Sequence, residues 1–280
     1  MSGGTGADED RSAAGVGHDA VKIVSDVKMP VLFVGHGSPT NAIEENAFSR
    51  AWADAPGSIP RPRVVLCISA HWETIGTQVT ATERPATIHD FIGFPRPLYE
   101  VSYPAPGSPE LARRVMETVR GTNVLPDPAR GLDHGAWSVL RRMYPDADIP
   151  VVQLSLDRGK VPADHYGLGK ELAVLRREGV LIVGSGNIVH NLGVIVREDT
   201  AFDWAVEFDD TVKRRILSGD HDAIVNYPEL GRAARLSVPT NEHFLPLLYA
   251  LALQEKGEGV RFFSDRVTLG SISMRSLRIG

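Results

Sequence analysis

The chain has 280 residues, of which 42% are apolar and 23% are charged, a composition ordinary for a globular protein. A formal net charge of -5, with no run of Lys and Arg, argues against nucleic acid as a partner. No apolar run reaches the roughly 18 residues that a membrane-spanning helix needs, so we expect no membrane partner.

Residues 1–28 are rich in Gly, Ala and Asp and lack the apolar stretch of a secretory signal. We interpret them as a disordered N-terminal tail, and residues 29–280 as one domain large enough to bury a substantial core. The single cysteine, Cys67, excludes an internal disulfide and lies in an apolar run, so we expect a buried, unreactive thiol. These features together predict a cytoplasmic protein.

Short apolar runs alternate with amphipathic stretches along residues 29–280, which predicts an α/β domain. The predicted strands cover residues 31–34, 64–68, 79–81, 149–156, 180–183 and alternating segments of 267–279. The predicted helices cover residues 43–53, 108–121, 136–144, 165–177, 202–217 and 244–254. We expect a single domain with a mostly parallel central sheet flanked by helices and a mixed or antiparallel edge.

Two segments interrupt this pattern. Residues 85–107 are rich in proline and aromatic residues and show no periodicity, and a loop this long in a compact domain is usually functional. In the last segment the apolar alternation changes phase at Gly270, which predicts a β-bulge.

Histidines follow three of the predicted strands. His36 comes after the strand at residues 31–34, His71 after the second strand and His190 after the strand at 180–183. The carboxyl ends of parallel strands meet at one edge of an α/β sheet, where ligands bind. Because imidazole is a common metal ligand, three histidines at this edge predict a metal site.

Six further histidines divide into two groups. His243 precedes the apolar helix at 244–254, while His134 and His89 stand beside glycine or aromatic residues. Each alone is explained as well by a core histidine with a hydrogen bond, but the set favours a functional site. We predict that the other three are solvated: His18, His165 and His221.

Other chemistries find less support in the sequence. Gly184-Ser185-Gly186 has the wrong spacing for a nucleophile elbow, and no phosphate-binding or dinucleotide-binding glycine motif is present. With one cysteine there is no pair for a structural zinc site. Glu242, beside His243, is left as either a base or a partner of that histidine.

Several linked motifs resemble the DODA-type extradiol ring-opening dioxygenases, of the protocatechuate 4,5-dioxygenase superfamily, over residues 29–280. The motifs are Gly35-His36-Gly37-Ser38-Pro39, Ser69-Ala70-His71-Trp72, Thr87-Ile88-His89-Asp90-Phe91, Gly93-Phe94-Pro95, Tyr103-Pro104-Ala105-Pro106-Gly107, Asp133-His134-Gly135, Ser185-Gly186-Asn187, Val189-His190-Asn191-Leu192 and Glu242-His243 with Leu245-Pro246.

The resemblance implies an enzyme that opens the ring of a catechol such as L-DOPA with O₂ to give a muconic semialdehyde. It implies that His36, His71 and His243 are metal ligands. His190 would be a fourth ligand or the active-site base, and His134 a second acid/base or substrate contact.

The resemblance also implies a substrate pocket and one divalent metal ion. The aromatic-rich loop would line the pocket through His89, Phe91, Phe94 and Tyr99. The wider superfamily binds Fe(II) through two histidines and a carboxylate, whereas an all-histidine set suits Zn²⁺ as well. Fe(II) is the metal expected for activity, because zinc cannot pass electrons to O₂.

Two alternatives of other classes stay open at this point. A strand that ends in Gly-His-Gly-Ser also opens the tetrapyrrole metal chelatases, for which the metal is a substrate. The chain could also be a non-catalytic protein that keeps a histidine pocket. The oligomeric state cannot be read from the sequence.

Overall fold

The computed structural model describes Met1 and residues 27–280. The tail predicted for residues 1–28, including His18, therefore lies almost entirely outside the described residues. None of the helices that the model describes is both long enough and apolar enough to cross a membrane.

Ten strands are present in the described chain. They are β1 Val31–Gly35, β2 Val64–Thr74, β3 Thr77–Thr80, β4 Val124–Asp127, β5 Val151–Asp157, β6 Val180–Gly186, β7 Val260–Phe263, β8 Val267–Thr268, β9 Ile272–Ser273 and β10 Ser276–Ile279. Eight of them form one sheet in the order β4-β3-β5-β2-β6-β1-β10-β7, while β8 and β9 form a small hairpin.

The centre of the large sheet is parallel and its flanks are mixed. Strands β5, β2, β6 and β1 run parallel, β10 joins β1 antiparallel, and β3 joins β5 antiparallel. The parallel strands are buried along almost their whole length, which explains why they read as unbroken apolar runs. The predicted α/β sheet with an antiparallel edge is confirmed.

Nine α-helices flank the sheet in the described chain. They are α1 Ala47–Asp54, α2 Arg96–Tyr99, α3 Pro109–Thr118, α4 His134–Met143, α5 Pro162–Glu171, α6 Asp203–Ser218, α7 His221–Val225, α8 Arg232–Ser237 and α9 Leu245–Ala252. Short 3-10 segments occur beside them, including Pro39–Ala42 and Leu172–Glu178.

Alternate residues of each central strand enter two separate cores. Val31 and Phe33 of β1 pack on the side of α9, whereas Leu32 and Val34 pack on the side of α1 and α4. This is the two-residue period of a strand covered on both faces. Cys67 is buried in the second core, as predicted, and burial raises the pKa of its thiol well above the usual value.

Several predicted elements differ from those observed. The helix expected at 43–53 is a 3-10 turn followed by α1, because Asn46 caps a new helix start. The helix expected at 165–177 begins earlier, at Pro162, and its last part is 3-10. The prediction of a β-bulge at Gly270 is wrong. Leu269 and Gly270 both have positive φ angles and form the turn between β8 and β9.

Candidate metal centre

Four histidines reach one edge of the sheet by different routes. His36 directly follows β1, as predicted, but His71 lies inside β2, which continues past its apolar part with a shift of register. His190 lies four residues beyond the end of β6, and His243 immediately precedes the cap of α9. The prediction that a histidine ends each of three strands was therefore wrong in detail, although the side chains do meet.

Glycines allow the segments that carry these histidines to approach closely. A Cβ on Gly186 would lie 2.2 Å from the carbonyl oxygen of His243. A Cβ on Gly135 would lie 2.4 Å from Ser69 Oγ and 2.9 Å from Cδ2 of the His71 ring. Both contacts are too short for any other residue, so glycine is required where β6 and α4 pack against the site.

Three imidazoles form the centre of the cluster. Nε2 of His36 lies 3.1 Å from Nε2 of His71, and their ring centroids are 5.0 Å apart. The His243 ring lies 5.3 Å from that of His36 and 5.0 Å from that of His71, and ligand nitrogens of the three lie within 4.8 Å of one another. Two imidazoles on one tetrahedral ion at about 2.1 Å place their nitrogens roughly 3.3 Å apart, so this donor set fits a divalent metal ion.

Hydrogen bonds made by Nδ1 determine which nitrogen of each imidazole faces the centre of the three-histidine cluster. The Ser185 hydroxyl donates to the carbonyl of Gly135 at 2.6 Å, and its oxygen lies 3.0 Å from Nδ1 of His36. Since that hydroxyl hydrogen is already used, Nδ1 of His36 is the donor and Nε2 keeps its lone pair. Nδ1 of His243 likewise lies 2.9 Å from a carboxylate oxygen of Glu242.

Asp90 contacts both His71, the remaining ligand candidate, and His134. Its carboxylate lies 3.4 Å from Nδ1 of His71 and 3.0 Å from Nδ1 of His134, and it accepts the His134 backbone N–H at 2.9 Å. Burial opposes ionisation of Asp90, but its contacts with His134 and His71 outweigh burial and lower its pKa to about 2. Asp90 is therefore a carboxylate at neutral pH.

His190 stacks against the outer face of His243. The two rings are nearly parallel, at 10°, and their centroids are 3.4 Å apart. The backbone N–H of His190 donates to the carbonyl of Ser237 at 2.9 Å. His190 thus borders the three-histidine cluster. Together with Glu242 and His243 it forms a second group whose possible ligand atoms lie within 4.8 Å of one another.

The imidazoles of the cluster are neutral at pH 7. Burial, followed by repulsion from the neighbouring rings, lowers the pKa of His36 and His243 well below the usual 6.5. Burial is also the largest cause that lowers the pKa of His71 and His190, each to about 4. Neutral imidazoles have free lone pairs, which metal binding requires.

An aromatic cluster borders His134 on the irregular loop. Phe91 lies 5.6 Å from the His134 ring, 5.3 Å from Phe94 and 5.1 Å from Tyr99, between ring centroids. His89 packs against Phe91, and its Nε2 donates to the carbonyl of Val101 at 3.0 Å, so this histidine fastens the loop. The residues predicted for the substrate pocket therefore lie together beside the histidines.

Two histidines predicted to be solvated are not. His165 is fully buried on the face of α5 that packs against α9, where its Nδ1 lies 3.0 Å from the Tyr249 hydroxyl. Nδ1 of His221, at the start of α7, lies 3.0 Å from the Tyr166 hydroxyl. Local polarity misled the prediction, because the packing of one helix on another decides these environments.

Residues 29–272 match the model of the catalytic LigB subunit of aromatic ring-opening dioxygenases. The chain belongs to this family. It is 46% identical to a 4,5-DOPA dioxygenase extradiol of Escherichia coli K12, over 92% of this chain and 97% of the relative. A protein of the same name from Beta vulgaris is 41% identical over 79% of this chain and 85% of its own length. The crystal structure of an uncharacterized protein of E. coli K12 superposes with a TM-score of 0.79 at 42% identity, covering 90% of this chain and all of that one.

The chain is therefore an enzyme, a metal-dependent extradiol dioxygenase, as the sequence motifs predicted. The chelatase and the non-catalytic binding protein, which the sequence left open, are not favoured. The histidine-rich site is the part of the described dioxygenase that could hold its metal.

Sequence reasoning gave no role to several polar groups of the dioxygenase site. Ser185 and Asp90 stood inside recognised motifs, but nothing in a linear sequence shows which imidazole nitrogen each one contacts. Asp133 was noted only beside His134, yet it is fully buried and accepts hydrogen bonds from Ser69 at 2.6 Å and Gln153 at 2.7 Å. An aspartate directly before a predicted catalytic histidine was the signal that the sequence offered.

Proposed function

We propose that this dioxygenase opens the ring of L-DOPA, or a closely related catechol, between carbons 4 and 5, at an Fe(II) ion held by His36, His71 and His243. The convergence of three neutral imidazoles, beside an aromatic cluster, is the observation that supports this proposal. The relatives from E. coli and B. vulgaris carry the name of a 4,5-DOPA dioxygenase, which supports the choice of substrate and bond.

The metal assignment follows from the donor set. Bound Fe(II) would supply electrons for O₂ and would lower the pKa of the catechol hydroxyls. The three nitrogens that would hold it are Nε2 of His36, of His71 and of His243, because each Nδ1 faces an acceptor. Zn²⁺ would occupy the same nitrogens, so zinc in a purified sample would not identify the working metal.

His190 suits the role of a base better than that of a fourth ligand. The His190 ring stacks on the His243 ring, at an interplanar angle of 10° with ring centroids 3.4 Å apart. His190 therefore lies against the face of a proposed ligand, whereas His36, His71 and His243 form the group of three that would hold the ion. His190 is neutral at pH 7 and can take a proton from a catechol hydroxyl at one of its ring nitrogens.

His134 is the proposed second acid/base group. Asp90 lies against its Nδ1, which leaves Nε2 as the atom available to a substrate. Nε2 is therefore the atom at which His134 would take up a proton and return it to the product.

The aromatic loop is proposed to bind the ring of the catechol. Phe91 connects the two parts of this site, because it contacts both His134 and the neighbouring Phe94 and Tyr99. Aromatic side chains here would exclude water and orient the substrate ring against the histidines.

Anaerobic reconstitution with Fe(II), followed by exposure to air and a panel of catechols, tests the proposed function. We expect a yellow ring-opened product from L-DOPA, and its chromatographic identity separates 4,5 from 2,3 cleavage. Turnover of other catechols alone would overturn the substrate assignment, and activity with Zn²⁺ equal to that with Fe(II) would overturn the metal assignment.

We further propose that residues 29–280 form the catalytic domain, which agrees with the family match over residues 29–272. Cytoplasmic location, and the lack of nucleic-acid and membrane partners, stay predictions made from the sequence.

A further inference from the structure

Each of the three proposed ligands has a different acceptor behind its Nδ1. For His36 it is the hydroxyl of Ser185, for His243 the carboxylate of Glu242, and for His71 the carboxylate of Asp90. The first two contacts are hydrogen bonds of 3.0 and 2.9 Å. The third, at 3.4 Å, is longer, because Asp90 is shared with His134.

Ser185, the acceptor for Nδ1 of His36, is itself held by a hydrogen bond. Ser185 is fully buried, and its hydroxyl hydrogen is committed to the carbonyl of Gly135. The oxygen can then only accept, so the N–H of His36 must be on Nδ1. Ser185 thereby joins β6, the end of β1 and the first turn of α4.

The carboxylates of Asp90 and Glu242 place negative charge close to the proposed site of a divalent metal ion. Three neutral imidazoles leave the charge of a dication uncompensated, whereas a ligand set of two histidines and a carboxylate removes one unit of it. Asp90 and Glu242 are carboxylates in contact with the outer side of two of the imidazoles, and their side chains are 23% and 20% exposed, so solvent screens them only in part.

We propose that Ser185, Asp90 and Glu242 are positioning residues that direct Nε2 of the three ligands to a common centre. In this proposal Asp90 and Glu242 also supply, from outside the ligand set, the negative charge that the ligands lack. The inference rests on the metal site of the proposed function, but it concerns how this chain binds a dication and does not depend on which catechol is cleaved.

The consequence is that substitutions at these residues lower metal affinity for different reasons. Glu242→Gln keeps an oxygen that can accept from Nδ1 of His243 and removes only the charge. Ser185→Ala removes a neutral acceptor and leaves the buried N–H of His36 unpaired. Loss of a group that orients a metal-binding histidine typically weakens affinity about 10- to 100-fold.

The experiment measures the affinity of the metal-free full-length chain for Zn²⁺ by competition with a chromogenic chelator. We expect Ser185→Ala, Asp90→Asn and Glu242→Gln each to weaken binding about 10- to 100-fold. Ser138→Ala is the matched control, because the Ser138 hydroxyl is also fully buried but has no partner among the described residues. It should bind Zn²⁺ like the parent chain.

Two further readouts keep the result interpretable. Thermal unfolding of the metal-free variants shows whether each is folded, and the visible absorption of bound Co²⁺ reports on the geometry of the ligands. We expect Ser185→Ala to change the Co²⁺ spectrum, since the His36 ring is then free to turn. Unchanged Zn²⁺ affinity in Ser185→Ala, in which the acceptor itself is removed, would overturn the positioning role.

A loss of affinity in Ser185→Ala with none in Glu242→Gln would overturn the charge role alone. Failure of the proposed function would look different, because the chain would then bind Zn²⁺ as described and cleave no catechol.

Discussion

Replacing His243 and His190 separately by alanine distinguishes a ligand from a base. His243 belongs to the three-histidine cluster, whereas His190 stacks on the His243 ring with the ring centroids 3.4 Å apart. His243→Ala would therefore remove one of the three proposed ligands. His190→Ala would leave all three, His36, His71 and His243, in place.

The expected magnitudes differ by orders of magnitude. Structural zinc sites with four ligands bind with about 10–16 kcal/mol, which is roughly 3 kcal/mol per ligand. Loss of His243 should thus weaken metal binding about 100-fold or more. His190→Ala should change the affinity by less than about threefold, while turnover falls about 10²- to 10⁴-fold, the usual contribution of a general acid or base.

The assay combines metal content after equilibration at fixed free metal with single-turnover rates of the Fe(II)-loaded protein. The pH profile of His190→Ala should also lose one ionisation that the parent enzyme shows. If His190→Ala loses its metal as completely as His243→Ala, then His190 is a ligand, and His134 becomes the candidate base.

Three other predictions concern different parts of the molecule. Burial lowers the pKa of His165 to about 4 in the folded state, below the unfolded value near 6.5. The contribution of the neutral His165 side chain to stability is therefore complete above pH 6.5 and falls as the pH drops toward 4. His165→Gln should therefore reduce the stability difference between pH 7.5 and pH 5, measured by urea unfolding, by about 2 kcal/mol, and an unchanged difference would contradict this assignment. Phe91→Ala should raise KM for L-DOPA about two- to tenfold with a smaller effect on kcat, the range expected for one aromatic contact, whereas equal kinetics would remove Phe91 from the substrate pocket. Deletion of residues 1–26 should leave Tm and turnover unchanged, because the family match begins at residue 29, and a large loss of either would show that this segment contributes to the enzyme.

The central strands were predictable because both of their faces are covered. β1 and the first halves of β2 and β6 consist almost entirely of buried apolar residues, and such runs stand out in a sequence. The edge strands β4 and β7 were missed. They are four residues long and partly exposed, and β4 contains a proline, so neither shows a clear pattern.

The convergence of the histidines at one edge of the sheet was predictable, whereas their detailed geometry was not. Histidines after buried strands pointed to one edge of the sheet, and His36 lies where it was expected. His71 belongs to a strand that continues beyond its apolar part, which no local pattern indicates. The contacts of Ser185 and Asp90 join segments that are 149 and 44 residues apart in sequence, so only the folded chain reveals them.

The most direct test of the account is a single turnover of L-DOPA with ¹⁸O₂ by the Fe(II)-loaded enzyme, with the product trapped at once and analysed by mass spectrometry. Extradiol cleavage by this enzyme would give a ring opened between carbons 4 and 5 that contains both labelled oxygen atoms, and no such product from His243→Ala. An unopened ring, or a product with one labelled atom under conditions that prevent exchange with water, would contradict it.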